Sequence, residues 1–205
     1  MRVLFVNTSM APIPSNTGHQ VHNWGNIQAL QLIGHEVFLV MLSTYGENIR
    51  TKIEDANRAS KNLQLCTAIE VPKQRNKSLN SLSPFLLFQE FTELLFKKES
   101  YFVQNHQLVC SELEKLIEST EADLIWYEDF YVAVFDKWIK RKIPAVYNSH
   151  DNQAKLYKQK NLKNSTPSNR IGTRIRRLIY IYRWKVLQKS EIRAQRRCNV
   201  MFTGN

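Results

Sequence analysis

Residues 1–42 read MRVLFVNTSMAPIPSNTGHQVHNWGNIQALQLIGHEVFLVML, and their pattern decides the fold. Arg2 to Asn7 is a short β-rich run, too brief for the apolar core of a signal peptide, and it ends in a loop dense in Thr, Ser, Pro and Asn. Val21, Trp24, Ile27 and Leu30 then recur at near-helical spacing as far as Gly34, a natural left-handed cap residue. Glu36 to Leu42 is β-rich again. A strand, loop, helix, turn and second strand of this kind wind right-handed into a parallel sheet.

The alternation continues outward from that unit. The spacing predicts a helix over Asn48 to Lys61 and a strand over Leu63 to Val71, then a polar loop from Pro72. Helical patterns follow at Phe85 to Lys97 and Tyr101 to Ile117. A strand at Asp123 to Tyr127, a helix at Val132 to Arg141 and a strand at Ala145 to Asn148 come next. A basic segment, helical over about 155–197 and most clearly over Arg170 to Arg196, leads to a closing strand at Asn199 to Thr203. The expected fold class is α/β: a Rossmann-like, doubly wound, mostly parallel sheet with helices on both faces, one domain over 1–205. A chain of 205 residues buries enough apolar surface to need no staples.

The three cysteines, Cys66, Cys110 and Cys198, are odd in number and widely spaced, which suits reduced, buried thiols. No metal-ligand spacing appears, so neither a metal nor a cofactor is expected. No segment approaches the ~20 apolar residues that span a bilayer. The expectation is a cytoplasmic protein, peripheral at most at the inner face of the membrane. Net charge is +11, and the region 152–200 holds fourteen Lys or Arg against the single acid Glu191. That concentration points to a polyanionic partner: phospholipid head groups, phosphorylated substrates or nucleic acid.

Parallel sheets bind ligands beyond the carboxyl ends of their strands, which selects three loops. The first ends in Thr17 and Gly18 at a helix start, where unpaired N–H groups and the absence of a Cβ suit a phosphate; a turn capped by Asn16 or Thr17 is the alternative. The second, in VYNSHDNQ, delivers His150 and Asp151 after a buried strand, and a histidine there suits proton transfer to a hydroxyl. The third, WYEDFY, sets Glu128 and Asp129 among aromatic rings, a composition that suits sugars; the alternative for Asp129 is a helix cap. In the basic segment Ile171, Ile175, Leu178, Ile179, Tyr182 and Val186 form an apolar stripe flanked by Arg170, Arg174 and Arg177. It reads either as a core helix with a solvated basic face or as an interfacial helix at anionic lipid, with Tyr180 and Trp184 at head-group depth. The apolar PFLLFQEFTELLF is a second lipid-facing candidate. Nucleic-acid binding is the weaker alternative, since no nucleic-acid module is present.

Taken in order, these pieces resemble the amino-terminal, acceptor-side domain of family-4 glycosyltransferases of the GT-B fold. The opening strand, proline-containing loop, helix and Gly34-His35-Glu36-Val37 strand entry match, and ADLIWYEDF, AVYNSHDNQAKLY and WKVLQKSEIRAQRRCNVMFTGN follow in the family's order. The resemblance implies a nucleotide-sugar donor and a glycan or lipid-linked acceptor, with no metal or cofactor. It places Gly18 near donor phosphates and His150 at the transferred sugar; Thr17 is taken with Gly18 at the phosphates, and Glu128, Asp129 and Asp151 are the candidate acceptor contacts. The family's Glu-x7-Glu donor signature belongs to a second domain, and no Glu in this chain has another eight residues later. The chain alone is therefore expected to be inactive. A non-catalytic docking module is the other expectation.

Overall fold

The computed structural model describes residues 1–8, 18–44, 49–59, 63–71, 83–97, 105–140, 142–149, 153–163, 171–198 and 200–203. Within them, β1 (Arg2–Thr8), β2 (Glu36–Thr44), β3 (Leu63–Val71), β4 (Leu124–Tyr127), β5 (Ala145–Ser149) and β6 (Val200–Thr203) form one sheet in the order β3-β2-β1-β4-β5-β6. Every pairing is parallel. This is the doubly wound Rossmann-like order, and it reverses between β1 and β4.

Parallel strands are covered on both faces, which is why they read as unbroken apolar runs. Val3, Leu4, Phe5 and Val6 are all fully buried. Successive side chains alternate between the faces. Leu4, Val6, Val40, Ile125, Tyr127 and Tyr147 share one apolar cluster with α4 (His106–Ser119), α5 (Phe130–Ala133) and α7 (Ile171–Arg197). Val3, Phe5, Leu39, Met41 and Trp126 face the other way, onto α1 (Gly18–Leu32) and α2 (Ile49–Ala59). The Phe5 and Trp126 rings stack there.

Gly34 ends α1 as expected. Its φ is 85°, its N–H donates to Gln31 O at 3.0 Å and the His35 N–H donates to Leu30 O at 3.0 Å. These two bonds are the Schellman closure, which needs a left-handed residue and so favours glycine.

The structure refines the sequence reading of three helical stretches. Of the helix expected over Tyr101 to Ile117, residues 101–104 lie outside the described ones, and α4 starts at His106 after Asn105 in the left-handed region (φ 51°). The helix expected over Val132 to Arg141 is instead α5 followed by a 3-10 turn, Val134–Lys137. Val132 to Phe135 are all buried, and four successive buried side chains do not fit one amphipathic stripe. In the basic segment α6 (Gln153–Lys158) passes into a π-helical turn (Gln159–Lys163), residues 164–170 lie outside the described ones, and α7 covers the stretch expected to be most clearly helical. Against α7 lies the remaining helix, α3 (Pro84–Lys97).

Candidate functional site: the crevice at the strand-order reversal

The strand order reverses between β1 and β4, and the buried polar side chains Asn7, Glu128, Asp129 and Asn148 lie at the carboxyl ends of β1, β4 and β5 around that point. Glu128 directly follows β4, and its N–H donates to Val6 O at 3.0 Å, extending the β1–β4 ladder by one residue. Strand alternation turns its side chain to the same face as Trp126, under the first turns of α1.

There the carboxylate is answered by N–H groups. Asn26 Nδ2 on α1 donates to Oε1 at 3.1 Å, Asn148 Nδ2 on β5 donates to the same oxygen at 3.0 Å, and Trp126 Nε1 donates to Oε2 at 2.6 Å. A carboxylate taken out of water is tolerable only when its lone pairs are filled in this way. Asn148 Nδ2 also lies 3.2 Å from His22 Nε2. With one amide hydrogen on Glu128, the second meets His22 Nε2, which then accepts and leaves the ring proton on Nδ1. The result is a connected line from a fully buried carboxylate, through an amide, to an imidazole on the exposed side of α1.

Asp129 points to the opposite face. It is the N-cap of α5: Oδ1 accepts from the Val132 N–H at 3.1 Å, and Oδ2 accepts from Thr8 Oγ1 at 2.9 Å. The capping alternative is thus realised, and the two oxygens tie β1 to α5 across the reversal. Beside it, burial and then the Asp129 and Glu191 carboxylates push the Tyr131 hydroxyl above its ordinary range, so it stays a neutral donor. Glu191 is itself buried in α7, and its Oε2 accepts from the Ala154 N–H in the first turn of α6 at 3.3 Å. That contact anchors α6 to α7.

The other expected site residues divide as follows. Gly18 is the first residue of α1, and a Cβ added there would meet no atom within 4 Å. Nothing within the described protein requires a glycine at that position. Thr17, His150, Asp151 and Arg170 lie outside the described residues. Arg174 and Arg177 are exposed on α7. Trp184 is half-buried against the main core, with Lys158 Nζ 4.6 Å above its ring. Glu128, expected to touch sugar hydroxyls, is closed off from solvent with its oxygens filled.

Sequence reading missed His22, Asn26 and Asn148. The signal was present for the first two, since a polar pair at i and i+4 shares one side of a helix. Asn148 stood at a strand end expected to be apolar. Burial, together with the Glu114 and Asp136 carboxylates, pushes the Cys110 thiol up to about 12; Cys198 is pushed to about 12 by burial and Asp136. Neither is a nucleophile at neutral pH. Among the described residues there is no group of three or more His, Cys, Asp or Glu that could hold a metal, and no helix long and apolar enough to cross a membrane.

No protein-family model matches the sequence, and no curated protein matches it. Among solved structures the chain is similar to the glycosyltransferase VinC in complex with DTDP, at 18% identity and a TM-score of 0.41, over 82% of this chain and 40% of that one. It is similar to the Streptomyces sp. SF2575 glycosyltransferase SsfS6 at 14% identity and a TM-score of 0.40, over 95% of this chain and 44% of that one. It is also similar to the C-terminal domain of a Pyrococcus furiosus hydrogenase, at 16% identity and a TM-score of 0.41, over 71% and 89%. The chain spans less than half the length of either glycosyltransferase. Likenesses this distant concern the α/β architecture and not an activity, which has to come from the site.

Proposed function

We propose that this chain is the amino-terminal, acceptor-side domain of a two-domain GT-B glycosyltransferase. The complete enzyme would move a sugar from a nucleotide-sugar to a lipid-linked or polysaccharide acceptor. The observation that carries the reading is the polar line from Glu128 through Asn148 to His22 at the reversal between β1 and β4. In a doubly wound sheet that crevice is where a ligand sits. The motif order of a family-4 glycosyltransferase along the sequence is its second support.

In this reading Glu128 is a positioning residue. Its filled carboxylate fixes the Asn148 amide, and the amide presents His22 as a neutral imidazole able to exchange a hydrogen bond with an acceptor hydroxyl. His150 follows the strand that carries Asn148 and is the candidate group beside the transferred sugar. Gly18, with Thr17, opens the amino terminus of α1 to donor phosphate. The donor nucleotide would be held mainly by a second α/β domain.

The test is sugar transfer by the complete enzyme from a panel of UDP-, GDP- and dTDP-hexoses. His150→Ala should lower turnover by roughly a hundredfold or more, the scale of lost acid–base assistance, with an unchanged melting temperature. Near-normal turnover removes His150 from the mechanism. Absence of transfer from every donor removes the glycosyltransferase reading.

A further inference from the structure

The helical pair α3–α7 carries a surface that the crevice does not explain. The helices run side by side and in the same direction: Leu87 and Ile179 share a small apolar cluster, the Phe91 and Tyr182 rings meet edge to face at 5.8 Å, and Arg183 Nη2 pairs with Glu90 Oε2 at 2.9 Å. With Leu87, Phe91 and Leu94 turned inward, the other side of α3 is left to Phe85, Phe88 and Phe96. They are 75%, 66% and 86% exposed. At 100° per residue these three rings fall within an arc of about 80°. A monomer seldom leaves three Phe on one helix face in water without a use for them.

Charge identifies the partner. Among the described residues no ionised group stands between the three rings: Thr92 lies within the arc and Gln89 just beyond its edge, while Glu93 and Glu90 lie further round on that side, paired with Lys97 and Arg183. The neighbouring α7 carries nine Lys or Arg and one acid, Glu191, which is buried. Through the parallel register, Arg174, Arg177 and the 63%-exposed Leu178 lie level with Phe85 at the start of α3. Bare aromatic rings near arginines that have no acidic partner among the described residues fit the boundary between acyl chains and anionic head groups: the rings enter the apolar layer and the arginines meet phosphate.

We infer that the outer face of α3, with the first turns of α7, docks this protein on an anionic phospholipid surface. Arg174 and Arg177 were expected at such a surface from sequence. The apolar anchor is the α3 phenylalanine face, in place of Trp184, which is half-buried against the main core. The inference is independent of the crevice and of any sugar chemistry.

The experiment is co-sedimentation of the chain with vesicles of equal parts phosphatidylglycerol and phosphatidylcholine, against vesicles of phosphatidylcholine alone. Binding is expected to the mixed vesicles and to weaken with added salt. F85S/F88S/F96S should weaken it at least tenfold. R174Q/R177Q should weaken it roughly thirtyfold at low salt, about fivefold for each charge. All five side chains are exposed, so both variants should keep the wild-type circular dichroism and melting curve. Equal binding to both vesicle types, or undiminished binding by the triple Phe variant, overturns the proposal. So does a self-association that the triple variant abolishes, which assigns the face to a second copy. Salt-sensitive RNA binding that R174Q/R177Q abolishes, with vesicle binding absent, overturns it as well.

Discussion

Two carboxylates taken out of water, Glu128 and Glu90, are handled in opposite ways. Glu128 is fully buried and satisfied by N–H groups of Asn26, Asn148 and Trp126. Glu90 is nearly buried and satisfied by the Arg183 guanidinium, whose own pKa burial lowers and Glu90 partly restores. A cation neutralises its partner and closes the matter, so the α3–α7 seam is a structural joint. N–H donors that reach onward leave the field of the carboxylate to orient further groups, here Asn148 and His22. The first arrangement fits a joint, the second a site.

That contrast can be broken by substitution. Glu128→Gln keeps the shape but turns an amide NH2 toward donors, most severely toward Trp126 Nε1. It should cost about 1–3 kcal/mol in urea unfolding, the penalty of a buried group left unsatisfied. A cost below a few tenths would mean that the donors are not committed to a charged oxygen. Arg183→Met strands Glu90 at the seam, and because both partners keep some access to water, about 1–2 kcal/mol is expected. The double variant E90L/R183M should recover most of it. Failure to recover would show that the seam depends on the ion pair and not on Leu87, Phe91 and Ile179.

Smaller effects sharpen the comparison from the backbone side. Gly34→Ala forces a Cβ into the left-handed region at the end of α1 and should cost about 1 kcal/mol. Gly18→Ala should move stability by less than about 0.5 kcal/mol, since its Cβ meets open space. In the complete enzyme the same substitution should raise KM for the nucleotide-sugar. An unchanged KM would remove Gly18 from the donor contact.

The β1–α1–β2 unit was legible because two periodicities and one left-handed glycine coincide within forty-odd residues, leaving one topology. The carboxyl ends of the strands were singled out by the same rule, and Glu128 lies at one of them. Its environment was not legible: the residue type says nothing about whether three donors from α1, β4 and β5 converge on it. His22 and Asn26 escaped because the apolar side of α1 drew the reading, although the polar side carries the site. PFLLFQEFTELLF was ambiguous for a physical reason. A helix apolar nearly all round cannot reveal from sequence that Leu87 and Leu94 are inside while Phe85, Phe88 and Phe96 are out.

The measurement that tests the account most directly reads two outputs from two variants of the complete enzyme: sugar transfer to a soluble acceptor, and binding to phosphatidylglycerol vesicles. His22→Ala, an exposed change, should lower transfer roughly a hundredfold and leave vesicle binding untouched. F85S/F88S/F96S should do the reverse. If His22→Ala transfers sugar at the wild-type rate, the crevice line from Glu128 to His22 is not the site, and the division of labour between the two regions is wrong.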